Sequence, residues 1–394
     1  MAVDSQYAEL HCHSFYSFGE GASQVHELVS RAVELGYPAM ALTDYNMCGA
    51  LEFSRQAKSL NLHSIIGSEI ILEDESHIVL LAENRSGYSN ITRLLSIANS
   101  SDRKNPRLHK KHLRDYSEGV IALVGPGKIS KLVLGGNYYD AVNDVAKYIE
   151  WFGLKSVYIE LNRNYIHGDL DKCRHLNRLA NEVGLPVVAT NNVFYHAHVR
   201  HKLQDVLVAI KHNKTIENSV NYLKANGEFY LKSSRTMSNL FHDLPSAISN
   251  TITISERCDF DLSSDLGYEL PEPYVPEGYS SLTYLRKLCF EAANRRYSSL
   301  DKKIVDRIEE EMRLIDKHGL SGFMLLYREI ALLARSIMVD LGKANVEDPL
   351  EWRPSGRGRG SSVAMLTGYL IGISHVDPLK CNLTLERFIP EDMR

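Results

Sequence analysis

Tyr7-Ala8-Glu9-Leu10-His11-Cys12-His13 is the stretch on which the reading of this chain turns. Residues 7–11 read as a β-strand, and the strand runs out into a His-x-His triplet. Side chains on an extended backbone repeat every second residue, so His11 and His13 share one face. Two imidazoles side by side at a strand end can hold a divalent metal. Taken alone, the triplet is weak evidence, since most such triplets are simply two polar residues leaving a strand. The weight therefore falls on what the other strand ends carry.

Further β-rich runs lie at 39–43, 64–69, 77–82, 120–124, 156–160 and 186–189. Helical stretches separate most of them, at 25–35, 51–60, 141–151 and 170–183. In the first of these, Val25, Leu28, Val29, Ala32, Val33 and Leu35 follow helical spacing. Gly36-Tyr37-Pro38 then stops the helix. Seven strands with intervening helices predict a parallel α/β fold closing into a barrel, with its chemistry at the carboxyl ends of the strands. Thr43-Asp44, Glu69 and Glu160 close strands, His77 opens one, and Glu20 sits between Gly19 and Gly21 in the loop after His13. In one barrel, several of these groups meet at a single mouth. Each alone is ordinarily a hydrogen-bonded polar residue; together they favour a metal site. Mixed imidazole and carboxylate ligands suit Zn²⁺, Mn²⁺ or Fe²⁺, and two ions about 3.5–4 Å apart suit phosphoester hydrolysis.

With 394 residues, the chain is long enough for two or three domains, and 44% hydrophobic residues exclude a disordered protein. The net charge of −4, from 45 basic and 49 acidic residues, excludes a general polyanion binder. The run from Arg103-Lys104 to Lys110-Lys111 reads as a solvated loop rather than a nucleic-acid contact. No apolar run approaches the roughly 18–20 residues that span a bilayer, and Met1-Ala2-Val3-Asp4-Ser5 has neither a basic nor an apolar leader region. A cytoplasmic protein with no membrane partner is expected. Cysteines at 12, 48, 173, 258, 289 and 381 include no C-x-x-C and read as reduced thiols.

Residues 203–258 are mostly helical in pattern, and Asp259-Phe260-Asp261 reads as a surface turn. Leu270-Pro271-Glu272-Pro273-Tyr274-Val275-Pro276-Glu277-Gly278 marks a boundary. The expected organisation is a first domain over 1–268 (barrel 7–195, helical extension 199–260), a linker over 269–280 and a second domain over 281–394. The second domain is strongly helical over 281–338, then polar over 339–354. Gly356-Arg357-Gly358-Arg359-Gly360-Ser361-Ser362 follows. Its glycines let the backbone turn close to an anion. Ser361 or Ser362 can cap the next helix, whose free N–H groups, with Arg357 and Arg359, can form a triphosphate cradle, although G-R-G-R-G alone reads as a flexible basic loop. No Gly-Lys-Ser/Thr follows, so this is not a P-loop.

Tyr7 to Phe18, Ala41-Leu42-Thr43-Asp44, Gly67-Ser68-Glu69 and Val79-Leu80-Leu81-Ala82-Glu83-Asn84-Arg85 resemble, in order and spacing, the PHP (polymerase and histidinol phosphatase) domain. The form resembled is the one that opens bacterial C-family DNA polymerases, whether the replicative polymerase III alpha subunit or its error-prone relative. The resemblance implies a distorted seven-stranded β/α barrel with metal ligands among His11, His13, Glu20, Glu69, His77 and Glu160. Tyr45 stands where the family has histidine after Thr-Asp. In Ala189-Thr190-Asn191-Asn192-Val193-Phe194-Tyr195, Asn192 replaces an aspartate and Phe194 a histidine. Asn offers only a carbonyl oxygen and Phe nothing, so weak or absent zinc or manganese binding and no phosphoesterase activity are expected; His196 and His198 are nearby, and His196 is the conceivable partial substitute.

The G-R-G-S loop, Gly372-Ile373-Ser374-His375-Val376-Asp377-Pro378-Leu379 and Leu383-Thr384-Leu385-Glu386-Arg387-Phe388-Ile389 are similar to the start of that family's palm. The resemblance assigns Gly358, Arg359, Gly360, Ser361 and Arg387 to the phosphates of an incoming deoxynucleoside triphosphate. In the family a P-D-x-D stretch after E-R-F holds two magnesium ions; this sequence reaches Arg394 without it. The parent activity implied is templated DNA synthesis on primer-template DNA in replication or repair, with this chain inactive alone and in need of a C-terminal polymerase chain or replisome partner. Tyr7 to Cys12, Lys202 to Ile210 and Tyr284-Leu285-Arg286-Lys287-Leu288 resemble the error-prone type more closely. A metal-dependent phosphoesterase and a non-catalytic scaffold remain the rivals.

Overall fold

The computed structural model describes residues 6–267, 270–352, 360–385 and 389–391. The chain divides into two compact units, 1–267 and 268–394.

The first unit is built on a six-stranded sheet in sequence order: β1 (Ala39–Leu42), β2 (His63–Ile71), β3 (His77–Ala82), β4 (Val120–Val124), β5 (Val157–Asn162) and β6 (Val187–Thr190). Its helices are α1 (Val25–Glu34), α2 (Ala50–Ser59), α3 (Arg85–Ser101), α4 (Lys111–Asp115), α5 (Lys128–Leu134), α6 (Tyr138–Phe152), α7 (Asp169–Val183), α8 (His201–Lys211), α9 (Ser234–Leu240) and α10 (Pro245–Arg257). The strand expected at 7–11 does not form a ladder. It enters as isolated parallel bridges, Glu9 to Met40 on one side and Cys12 to Val193 on the other. This segment therefore lies between β1 and the residues just after β6, and it closes the curled sheet into a distorted barrel.

The sheet is not all parallel, as the strand pattern had suggested. β3 runs antiparallel to both β2 and β4. Only residues 72–76 separate β2 from β3, and a parallel return needs a crossover of about a dozen residues. A hairpin is the only connection that fits. The reversal has a functional consequence, because it brings the first residue of β3, His77, to the end of the barrel where the other strands finish.

Helices cover the outside. α1 turns Val25, Leu28, Val29 and Ala32 inward, each aliphatic burial being worth roughly 1.5–3 kcal/mol. Gly36 adopts φ 70°, which ends the helix as expected. α10 plugs the barrel end opposite the candidate site. Ile254 and Cys258 pack with Ala8, Leu10, Ala39, Ile65 and Val188, and Thr251 Oγ1 accepts the Ala8 N–H at 3.1 Å.

The stretch 203–258 is less helical than its pattern suggests, since 212–233 is largely irregular. Phe260 is buried against the ring of Tyr88, while Asp261 accepts from Ser54, Lys58 and Ser263. The basic run is partly ion-paired: Arg107 meets Glu75, and Lys110 meets Asp74 and Asp144.

The second unit packs α11 (Ser281–Arg296), α12 (Lys302–Lys317), α13 (Ser321–Asp340) and the short α14 (Leu366–Leu370) around Leu285, Cys289, Ile308, Ile315 and Leu370. Ser280 caps α11 through Thr283 N at 3.2 Å, and Asp301 caps α12 through Ile304 N at 2.9 Å.

Candidate functional site

His11 and His13 end the strand-like segment, Glu69 lies near the end of β2, and the three are buried together at the barrel mouth. The Nε2 atoms of the two histidines are 3.2 Å apart. Glu69 Oε2 lies 3.4 Å from His11 Nε2 and 3.0 Å from His13 Nε2. The outer nitrogens settle the tautomers. His11 Nδ1 is 2.7 Å from a carboxylate oxygen of Glu160, which can only accept. His13 Nδ1 is 2.9 Å from Ser17 Oγ, whose own proton goes to Asp44. Both rings, when neutral, therefore carry the proton at Nδ1 and turn the Nε2 lone pair toward Glu69 Oε2, itself a buried oxygen with no hydrogen-bond donor among the described residues. Ligands bound to one ion at 2.0–2.1 Å in tetrahedral geometry stand about 3.3 Å apart. The residues present thus fit a divalent ion held by His11, His13 and Glu69, with Glu160 and Asp44 orienting the two rings from behind.

Electrostatics follow the same geometry. Burial opposes the charged form of His11, but Glu160 and Glu69 outweigh it and raise its pKa to about 10. Burial likewise pushes the Glu69 carboxyl up, and His11 reverses this, holding it well below the usual range. A bound cation would take over the role that the His11 proton plays here.

Other predicted residues fall around this triad in different roles. His77, half-exposed, donates from Nδ1 to Glu69 Oε1 at 2.6 Å. Glu160 stands behind His11 and also accepts from Thr190 and Asn162. Glu20 is turned to Tyr45 Oη at 3.2 Å and to the ammonium of Lys211. Tyr45 and Phe194 flank the His13 ring, with centroids at 4.8 and 4.6 Å. Asn192 adopts φ 48°, and its Oδ1 is buried without a partner among the described residues. The next residue, Val193, exchanges backbone hydrogen bonds with His11 and His13. His196 is held by Ser23 at 2.8 Å and lies outside the His-His-Glu group, and His198 is exposed. Sequence reasoning missed Ser17, Lys211, Lys224 and Glu9. Glu9 is wholly buried beneath His11, pins the His11 and Asn191 N–H groups, and has its pKa raised to about 7 by burial.

In the second unit, Arg357, Gly358, Arg359 and Arg387 lie outside the described residues. Gly360 is described, at φ 71°, and with Ser361 it begins a 3-10 turn. At the start of α14 two N–H groups are not free. The N–H groups of Leu366 and Thr367 both donate to the buried carboxylate of Glu311, at 2.8 and 2.7 Å. Met365, rather than either serine, is the N-cap. A carboxylate on α12 takes the place an anion would occupy at the start of α14. Asp377 likewise has a local task, accepting from Leu379 N at 3.0 Å and from Tyr297 Oη at 3.0 Å.

Residues 9–164 match the PHP domain family, and residues 283–393 match the bacterial DNA polymerase III alpha NTPase domain. The DNA polymerase III subunit alpha of Borreliella burgdorferi is 32% identical over 99% of this chain. The chain thus carries a PHP domain followed by a DNA polymerase III alpha NTPase domain, and it is homologous to bacterial DNA polymerase III alpha subunits. Error-prone DNA polymerases are equally similar. That of Alkalilimnicola ehrlichii is 33% identical over 100% of the chain, and that of Symbiobacterium thermophilum 30% over 97%. The chain covers 34%, 36% and 36% of these three relatives, so it spans about a third of their length. A solved structure from Bifidobacterium adolescentis, assigned as a metal-dependent phosphoesterase, covers 48% of this chain with 87% of its own at 13% identity and a TM-score of 0.36. A likeness that slight carries no chemistry over. The PHP match ends at residue 164, before the stretch in which Asn192 and Phe194 depart from the family pattern.

Proposed function

We propose that this chain is the PHP domain and the beginning of the palm of an error-prone bacterial DNA polymerase, acting in the cytoplasm in replication or repair. The domains proposed are 1–268 and 281–394, joined by 269–280. The tandem order of a PHP match and a polymerase NTPase match is the observation that supports this reading. Gly358, Arg359, Gly360, Ser361 and Arg387 contact the triphosphate of an incoming deoxynucleotide, the arginines through charge-assisted hydrogen bonds. Templated addition to a primer, with two magnesium ions at acidic residues outside this sequence, is proposed for the whole protein and not for these residues alone.

In the barrel, His11, His13 and Glu69 hold a zinc or manganese ion, which would supply charge to the site. No phosphoesterase activity is proposed, because Tyr45 and Phe194 pack on His13 where further ligands would be needed. Manganese-dependent hydrolysis of a phosphodiester by the purified chain would overturn that. The main test is equilibrium binding of a fluorescent deoxynucleoside triphosphate in Mg²⁺. Arg359→Ala and Arg387→Ala should each weaken binding about tenfold or more, the loss of one charge-assisted contact. Unchanged binding in both variants, or none in the parent chain, would overturn the reading.

A further inference from the structure

Two lysines from outside the strand pattern reach the metal-ligand cluster. Lys211, the last residue of α8, puts its ammonium on Glu20 Oε1, while Tyr45 Oη donates to the other oxygen at 3.2 Å. Lys224, half-buried in the irregular stretch after α8, lies 3.7 Å above the centre of the Phe194 ring and 5.1 Å from that of Phe229. The Phe194 ring is stacked on His13 at 4.6 Å and 16°. The amine of Lys224 is thus one ring away from a ligand imidazole; burial lowers its pKa, and the charges of Glu20 and Glu69 act to keep it protonated.

A site for two divalent ions holds them only about 3.5–4 Å apart, so it needs carboxylates free to ligate both, and a cation beside them opposes the second ion. Here Glu20 is neutralised and hydrogen-bonded on both oxygens. A second fixed positive charge stands where Phe194 has removed a ligand. Like charges at such range oppose the entry of a further cation. The His11, His13 and Glu69 group keeps its converging ligand atoms, with Glu69 Oε2 buried 3.0 Å from His13 Nε2 and 3.4 Å from His11 Nε2.

We propose that Lys211 and Lys224 act as built-in counter-charges, so that the barrel mouth takes one divalent transition-metal ion and excludes a second. This rests on the metal reading above and adds the stoichiometry and its cause.

The test is a Zn²⁺ titration of the metal-stripped full chain by calorimetry, with bound metal counted by mass spectrometry after gel filtration. One equivalent is expected for the parent chain and none for His13→Ala. Lys211→Met/Lys224→Met should bind the first ion about tenfold more tightly and take up a second. Lys211→Arg/Lys224→Arg, which keeps both charges, should behave like the parent. Circular dichroism confirms that each variant is folded. Two equivalents in the parent would overturn the counter-charge inference and leave the metal reading standing. No uptake by the parent would overturn both. A Met variant that matches the parent in both stoichiometry and affinity would remove the lysines from the account.

Discussion

Replacing Glu311 by alanine should cost the second unit about 3–5 kcal/mol. Glu311 has no solvent exposure and accepts four donors: Leu366 N at 2.8 Å, Thr367 N at 2.7 Å, Thr367 Oγ1 at 2.7 Å and Arg307 Nε at 2.8 Å. Each hydrogen bond to a charged group is worth roughly 1.5–3 kcal/mol. A simple sum over four overshoots, because the short α14 can fray and admit water once the carboxylate is gone. Breaking a buried ion pair by deleting one partner costs about 3–5 kcal/mol, which sets the figure. Arg307 also donates to Ala364 O at 2.8 Å, so the pair fixes the chain on the exit side of the glycine–arginine loop. Arg307→Met should therefore cost markedly less in the Glu311→Ala background than in the parent, as coupled partners do. Urea denaturation with amide hydrogen exchange at residues 366 and 367 reads both effects. A Glu311→Ala cost below about 1 kcal/mol, or strictly additive costs, would refute this picture of the loop's anchor.

Glu160→Gln should weaken metal binding by about 10–100-fold without removing a ligand, since it loosens the His11 ring and its tautomer; affinity equal to the parent in a competition assay would place Glu160 outside the site's support. Thr367→Val should cost about 1.5–3 kcal/mol by urea denaturation, the worth of one hydrogen bond to a charged group, and no measurable change would show that the hydroxyl is replaceable by water. Lys232 is buried with its ammonium on Asn191 Oδ1 at 3.0 Å, and burial lowers its pKa to about 8. An unfolded lysine titrates near about 10.4, so between those values the unfolded state holds more protons and stability should rise with pH. The stability difference between the parent and Lys232→Met should therefore grow in the parent's favour from about pH 8 to 10; a flat difference across that window would contradict the assignment. Gly87→Ala should disrupt the start of α3, because a Cβ there would lie 1.8 Å from Gly119 O, and a thermal midpoint matching the parent would show that this contact relaxes freely.

Much of the barrel was legible because its strands are buried on both faces and read as continuous apolar runs bounded by turn residues. The reversal of β3 was legible in principle as well. Five residues cannot make a crossover, but the apolar run itself carries no direction. The His-x-His triplet could be placed because period-two geometry is local. The roles of Glu160 and Glu20 could not, since distances between strands decide whether a carboxylate meets an ion, a ring nitrogen or a lysine. Lys211 and Lys224 left no signal, because α8 and the irregular stretch after it follow no pattern that points back to the mouth. At the start of α14, the occupation of two N–H groups was not legible because Glu311 lies about fifty residues upstream on another helix, where no spacing rule links it to Leu366.

The central claim, that the second unit holds a nucleoside triphosphate through its glycine–arginine loop, is tested most directly by photo-crosslinking. An azido-deoxyadenosine triphosphate should be irradiated with the chain in Mg²⁺ and the labelled peptides sequenced. Label within residues 356–362 or 385–389, competed by unmodified deoxynucleotide and lost in Arg359→Ala, is the predicted result. Label confined to the barrel mouth, or none that unmodified nucleotide can compete, would contradict it.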